Sequence, residues 1–183
     1  KLKIMKTYSS IVIGLTLGLF YFLAVHDQKV AENKIKTAVA VIQAKSGSKV
    51  SGKAVFKEQD GKVMMKASIS NASPGDHAIH IHLVGDCSAA DGKSAGGHWN
   101  PTGEAHGKWD SASYHRGDIG NISIGKDGTG SISRSTDLWC IGCEDETKNI
   151  LGKAVIIHAG PDDFSSQPAG AAGPRIGCGE ISS

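Results

Sequence analysis

The sequence has 183 residues, a length that suits one domain with a short appendage. Its 39% hydrophobic content is enough for a buried core, while 5% aromatic residues and 24 glycines favour short strands and turns over helices. The net charge of +2 is uneven, because residues 1–34 contain five lysines and two acidic residues, whereas the remainder contains 15 basic and 16 acidic residues. A nearly neutral domain without a basic stripe argues against nucleic acid as a partner.

The N-terminus has the pattern of a targeting or anchoring segment. Three lysines within the first six residues precede an apolar run over residues 9–25, and a polar spacer continues to residue 34. The run suits the apolar part of a signal peptide and is marginal for a membrane span. We therefore expect residues 1–34 to be a signal peptide or membrane anchor with its spacer. Residues 35–183 are then an exported domain, either periplasmic or extracellular.

Beyond the spacer, apolar and polar residues alternate with a period of two, which predicts strands. Eight strands are predicted, at Ala38–Gln43, Val50–Lys57, Lys62–Ile69, Ile79–Leu83, Ile119–Ile124, Gly130–Arg134, Lys153–His158 and Arg175–Ile181. No helix is predicted after residue 34. The pattern indicates an all-β fold, an antiparallel sandwich or flattened barrel with two long loops, Gly85–Gly117 and Ala159–Pro174, over one side.

The fourth predicted strand carries two histidines on one face. Side chains alternate along a strand, so His80 and His82 share one face while Ile79, Ile81 and Leu83 point into the core. Five further candidate ligands follow along the chain: His98, His106, His115, Asp118 and His158. Neutral imidazole is the commonest protein ligand for zinc and copper. This density of imidazoles with one carboxylate predicts a site for two metal ions.

The order and spacing of these residues resemble those of the copper/zinc superoxide dismutase family, over roughly residues 36–183. The matching motifs are His80-Ile-His82, Gly85-Asp86-Cys87, Gly97-His98-Trp99-Asn100-Pro101, His106, His115-Arg-Gly-Asp118-Ile-Gly-Asn121, His158 and Gly173-Pro-Arg175-Ile-Gly-Cys178-Gly179. The resemblance implies an eight-stranded Greek-key fold. It also implies that superoxide is disproportionated to O2 and H2O2 as copper cycles between Cu(II) and Cu(I), beside a structural zinc.

Carried over residue by residue, the resemblance assigns two ligand sets that share one histidine. The copper ligands would be His80, His82, His98 and His158. The zinc ligands would be His98, His106, His115 and Asp118. His98 would bridge the two metals as an imidazolate, leave copper on reduction, and take up and pass on a proton. This gives His98 a catalytic role as well as a ligand role.

The resemblance also assigns residues around the ligands. Asp162 matches a carboxylate that hydrogen-bonds one copper ligand, His82 or His80, and the zinc ligand His106, and such a carboxylate fixes ring orientation. His77 would face away from His80 on a regular strand, so we expect it to be structural.

Arg175 matches the arginine that attracts superoxide to the copper. Cys87 and Cys178 match a disulfide between the first long loop and the last strand. Cys140 and Cys143 lie outside the family pattern and suit a second disulfide, an accessory metal site or a redox pair; in an exported protein we favour the disulfide.

Two other functions remain open at this point. The chain could be a copper or zinc carrier that kept the fold without turnover, although the shared histidine and Arg175 are unnecessary in a carrier. It could also be an adhesion-type sandwich in which metals are incidental. The sequence leaves open whether the chain forms a homodimer, because dimer surfaces differ between lineages of the family.

Overall fold

The structure is a computed structural model, and it describes residues 34–183, which form one compact unit. Its eight strands are β1 (Lys36–Ala44), β2 (Ser51–Gln59), β3 (Lys62–Ser70), β4 (Gly75–His82), β5 (Asp118–Ile124), β6 (Gly130–Thr136), β7 (Ala154–His158) and β8 (Arg175–Ser182). The one helical element in this range is a 3₁₀ turn at Lys93–Ala95. The prediction of an all-β fold with eight strands is confirmed. The predicted leader or anchor, with its apolar stretch at residues 9–25, lies outside the described residues.

All strand pairs are antiparallel, and the hydrogen-bonded order is β5-β4-β7-β8-β1-β2-β3-β6. The two end strands, β5 and β6, are consecutive in the chain and contact each other. Arg134 in β6 donates from Nε to the carbonyl of Ile119 in β5 over 3.0 Å. The sheet therefore curls into a nearly closed barrel.

The core lies inside this barrel and follows from the alternation read in the sequence. In β3, Val63, Met65, Ala67 and Ile69 are buried while the residues between them are exposed. Strands β4 and β7 differ, because every residue of β7 and the last six of β4 are buried. Both faces of these two strands are covered, one by the core and the other by the long loops. This cover makes them suitable for a buried polar site.

One prediction about β4 is wrong. Alternation along the strand predicts Leu83 in the core, but β4 ends at His82 and Leu83 is 52% exposed. The reason lies in the backbone, because the Leu83 N–H donates to the carbonyl of Gly97 in the first long loop instead of continuing the strand. The chain turns away from the sheet one residue earlier than simple alternation suggests.

The two long loops are fastened to the barrel at several points. A disulfide joins Cys87 in the first loop to Cys178 in β8, with a Cα–Cα distance of 5.8 Å. The second loop is closed at its base by a hydrogen bond from Ala159 N–H to the carbonyl of Pro174, 2.8 Å long. Within residues 34–183, no helical segment has the length and apolar character needed to cross a membrane.

Candidate metal centre

The first ligand group is built mainly by two paired strands. His80 and His82 lie at the end of β4, and His158 ends the neighbouring β7. His98 comes from the first long loop and is held beside β4 by a bridge to His82. The four side chains offer nitrogen atoms that all lie within 4.8 Å of one another. The alternation that places His80 and His82 on one face thus brings both of them into this group.

The second group is built by the first long loop and the residue that begins β5. It contains His98, His106, His115 and Asp118, again with ligand atoms within 4.8 Å of one another. Asp118 lies at the centre of the group. Its Oδ1 is 2.8 Å from His98 Nδ1 and 3.2 Å from His115 Nδ1, and its Oδ2 is 3.0 Å from His106 Nδ1. His98 belongs to both groups, as the sequence predicts.

Four of the buried imidazoles in the two groups have one nitrogen tied to a fixed acceptor. His82 donates from Nδ1 to the Gly96 carbonyl at 2.9 Å, and His158 donates from Nδ1 to the Gly173 carbonyl at 3.1 Å. His80 and His106 donate from Nε2 to the two oxygens of Asp162, at 2.8 Å and 2.9 Å. A neutral imidazole has one N–H, so these bonds leave the opposite nitrogen of each ring with a free lone pair.

The opposite nitrogens are left without hydrogen-bond partners. Within the described residues, the buried side-chain atoms that lack a hydrogen-bond partner are His80 Nδ1, His82 Nε2, His98 Nε2, His106 Nδ1 and His158 Nε2. His106 Nδ1 lies 3.0 Å from Asp118 Oδ2 but forms no hydrogen bond with it. Buried polar atoms are almost always satisfied, so five unpaired nitrogens in one place need an explanation. Metal coordination supplies it, because a metal-bound imidazole usually donates its other nitrogen to a carboxylate or carbonyl.

The spacing within the second group also fits a metal ion. Its atoms are separated by 2.8 Å to 3.5 Å where His98, His115 and Asp118 approach one another. Bonds of 2.0–2.2 Å in a tetrahedral site place ligand atoms about 3.3 Å apart. Three imidazoles and one carboxylate at this spacing are a donor set typical of zinc.

Burial keeps His80, His82 and His158 in the neutral form that binds metals. Desolvation lowers the pKa of His80 and His82 well below the usual value and lowers the pKa of His158 to about 4. Burial raises the pKa of Asp118, but hydrogen bonds from His98 and from the backbone N–H groups of His115 and Gly107 outweigh it, so the net pKa is lowered. Near neutral pH His80, His82 and His158 are therefore neutral and Asp118 is ionised.

Asp162 joins the two groups from the second long loop. Its Oδ2 accepts from His80 and its Oδ1 accepts from His106, and all three side chains are buried. The sequence predicts a link between His106 and either His82 or His80, and the structure shows His80. The distinction depends on which imidazole edge faces the loop, which strand alternation alone does not determine.

Two amide side chains that sequence reasoning missed support this arrangement. Asn121 accepts from the Asp162 N–H at 2.7 Å and donates to the Asp162 carbonyl at 3.0 Å. Gln167 accepts from the His106 N–H and donates to the His106 carbonyl, both at 2.9 Å. Each amide thus holds both backbone groups of one residue in the site. Asn121 lies within the matched His115–Asn121 motif, whereas Gln167 has no comparable sequence signal.

Gly170 leaves the space that the hydrogen bond between Asp162 and His106 needs. Its φ of +69° is one that residues with a side chain rarely adopt. A Cβ at this position would overlap Asp162 Oδ1 and lie 2.7 Å from His106 Nε2. A side chain at residue 170 would therefore push between Asp162 and His106.

Arg175 lies where β8 meets the first long loop. It donates from Nη1 to the Gly92 carbonyl at 2.8 Å and from Nη2 to the Gly96 carbonyl at 2.7 Å. The Gly96 carbonyl also accepts from His82, so one peptide group connects the guanidinium to a member of the first ligand group. The Cys87–Cys178 disulfide joins the same loop to the same strand.

His77 is buried but belongs to neither ligand group. Its Nδ1 donates to the carbonyl of His158 at 2.8 Å, and its Nε2 lies 3.1 Å from the hydroxyl of Ser73. These bonds agree with the structural role predicted from the sequence. They also hold the backbone of a neighbouring ligand residue.

The second cysteine pair lies away from both groups. Cys140 and Cys143 form a disulfide in the β6–β7 loop, and no cysteine in the described residues is free. Of the three alternatives considered for this pair, the structure shows the local disulfide.

Comparisons with known proteins agree with this geometry. The family model described as copper/zinc superoxide dismutase matches residues 50–181, which include every member of both ligand groups. Among solved structures, the crystal structure of the clock protein EA4 is similar, with 32% sequence identity and a TM-score of 0.69. The match covers 79% of this chain and 92% of that chain.

Proposed function

The chain belongs to the copper/zinc superoxide dismutase family, and on this premise we propose that it converts two superoxide anions and two protons into O2 and H2O2. One observation carries the proposal: five buried imidazole nitrogens without partners lie in two adjoining groups that share His98. A simple carrier needs one set of ligands, whereas a shared imidazole couples two sites.

We assign the two groups to different metals. Copper would be held by His80, His82, His98 and His158, because imidazole nitrogen suits both oxidation states of copper. Zinc would be held by His98, His106, His115 and Asp118, the donor set that its tetrahedral geometry favours. When bound, copper supplies one-electron oxidation and reduction of superoxide, and zinc supplies a fixed positive charge beside it.

The side chains of the protein would position the ligands and handle protons. Asp162 orients His80 and His106 together, while the carbonyls of Gly96 and Gly173 orient His82 and His158. The reaction consumes protons, and His98 Nε2 is a buried nitrogen at which one can be held, since its other nitrogen already faces Asp118.

Arg175 would attract the substrate. Its guanidinium is a positive charge that is only partly buried and is fixed by two backbone carbonyls. No acidic side chain forms an ion pair with it within the part of the chain that the structure describes. A partly exposed cation near the first ligand group favours approach of a small anion.

We further propose that the protein acts outside the cytoplasm, in the periplasm or the extracellular space. Two disulfides support this location, because such bonds persist in oxidising compartments. The basic start and apolar run over residues 9–25 would direct export or retain the chain at a membrane. Fractionation of cells that express the full chain, with immunodetection of its mature size, distinguishes a cleaved leader from a retained anchor.

The decisive experiment for the function is metal analysis combined with a superoxide assay on the purified chain. We expect about one copper and one zinc per chain, with cyanide-sensitive dismutase activity. Full metal loading without activity would refute the dismutase and favour the carrier. Correct folding without either metal would refute both, leaving the adhesion-type sandwich.

A further inference from the structure

The outer surface of β1, β2 and β3 carries lysines and apolar residues as cross-strand neighbours. Strand pairing places Lys53 beside Val41, Lys66 beside Val55, and Lys57 beside Met64. We call these six residues the lysine face. They point away from the core, in three successive rows that continue across β6.

Across β2, β3 and β6 the rows contain no opposing charge, while on the other side the exposed Glu180 of β8 lies beside Val41. The other outward positions that pair with them in β1, β3 and β6 are serine, threonine or valine. The nearest acidic residue of β2, Glu58, is engaged elsewhere, since it lies 3.6 Å from Lys36 Nζ and accepts from the Ile141 N–H. The lysine face is therefore a local positive surface on a domain whose overall charge is −1 over residues 35–183.

The apolar members of the face are also unusual. Val41 is 63% exposed and Met64 is 55% exposed, which makes them two of the most exposed large hydrophobic residues in residues 34–183. An open groove of about 660 Å³ runs beside Val55, Met64 and the three lysines. Contiguous exposed apolar surface rimmed by polar residues marks an interaction surface.

We propose that the lysine face docks on an anionic lipid surface. Lysines at this spacing can reach separate phosphate headgroups, and Val41 and Met64 can enter the boundary between headgroups and acyl chains. A nucleic acid partner would favour aromatic side chains on which bases stack, and the face has none. The metal groups play no part in this contact, so docking and dismutase activity are independent.

The test uses the full chain and measures lysine acetylation residue by residue, because residues 1–33 can themselves bind lipid. Vesicles with 30% phosphatidylglycerol in phosphatidylcholine should slow acetylation of Lys53, Lys57 and Lys66 at least fivefold. Pure phosphatidylcholine vesicles should not slow acetylation. Salt at 0.5 M should remove the protection, because it screens the attraction between lysines and phosphates beyond a few ångströms. Equal acetylation with and without anionic vesicles would overturn the proposal.

Variants then test whether the lysines cause the docking. Lys62, which precedes the face on β3, remains as a reporter in a K53Q/K57Q/K66Q variant. Each lysine contributes roughly fivefold to affinity for an anionic surface, so the triple variant should need about 100-fold more lipid to protect Lys62.

The matched control removes three lysines that lie in loops, away from the lysine face: Lys108, Lys126 and Lys148. In the K108Q/K126Q/K148Q variant, anionic vesicles should protect Lys62 from acetylation as well as they do in the parent chain. Equal loss of Lys62 protection in both triple variants would show that total charge, and not the lysine face, causes binding, which would refute the proposal. Protection by DNA or heparin but not by vesicles would refute the lipid assignment.

Discussion

The two ligand groups are held by different parts of the molecule. Three members of the first group lie on β4 and β7, where ladder hydrogen bonds position the backbone. Three members of the second group lie in the first long loop, and its fourth member, Asp118, begins β5. The first group thus depends on barrel folding, whereas the second depends on side-chain bonds within and between loops.

This difference indicates where the site is rigid. A ligand on a paired strand keeps its position when its metal leaves, because the barrel core stabilises the strand. A ligand in a loop is positioned by Asp118, Asp162 and the metal itself, so its order and metal binding are coupled. The position of His98 depends on both the loop and the strand, because it is a loop residue bridged to the strand residue His82.

The largest expected effects come from removing ligands one at a time. H98A should lose both metals and essentially all dismutase activity, because His98 belongs to both groups. H115A should lose mainly zinc, and H158A mainly copper. The losses are checked by measuring the copper and zinc content of the three purified variants, with circular dichroism as a folding control. Retention of both metals and of the parent visible spectrum in H98A would contradict the shared-ligand assignment.

Removal of the metals should separate the two regions. In the chelated protein we expect amides of loop residues 98–117 to exchange hydrogen at least about 100-fold faster, since a tightly bound metal stabilises the state that binds it. Amides of β4 and β7 should change little. Hydrogen–deuterium exchange with and without chelator checks both. Equal acceleration in loops and strands would show that the barrel does not organise the first group on its own.

Asp162 is the residue to change if the regions are to be uncoupled without removing a ligand. In D162N one carboxylate oxygen becomes an NH2 group, so one of His80 and His106 loses its acceptor and faces a donor. Loss of such a carboxylate typically costs 10- to 100-fold in metal affinity, measured by competition with a chelator. The neighbouring exposed residue provides a matched control, and D163N should bind metal like the parent chain.

Most of the fold was predictable because the buried residues alternate so regularly. All eight strands lie within a few residues of their predicted positions, and Leu83 was misplaced because the chain leaves the sheet through a bond to Gly97. The motifs also predicted which histidines come together. The assignment of copper and zinc to the two groups stays a prediction, since spacing alone does not identify an ion.

Contacts between distant segments were the part that the sequence did not reveal. Gln167 bonds to the backbone of His106 across 61 residues, and no local pattern encodes such a pairing. The lysine face was hidden for the same reason. Lys53 and Lys57 share one face of β2, but Lys66 and Met64 join them only through the register of β2 and β3. The absence of a basic stripe in the sequence therefore did not exclude a basic surface.

The smallest expected effect concerns Arg175, where strand and loop meet. We expect R175A to react with superoxide about tenfold more slowly per bound copper, and R175E more slowly still, because steering of an anion depends on local positive charge. Salt should slow the parent chain more than R175A, since screening weakens the contribution of the guanidinium. The measurement is the second-order rate per bound copper across a salt series.

Arg175 also fixes the loop through Gly92 and Gly96, so a loss of rate could come from a displaced loop instead of a lost charge. R175K separates the two roles. Lysine keeps the charge but lacks the planar group that reaches two carbonyls at once. If charge dominates, R175K should react within about threefold of the parent chain and keep its salt dependence. If loop fixation dominates, R175K should fall as far as R175A, and hydrogen exchange around Gly96 should rise equally in both. An unchanged rate per copper in R175E would rule out guidance of superoxide altogether.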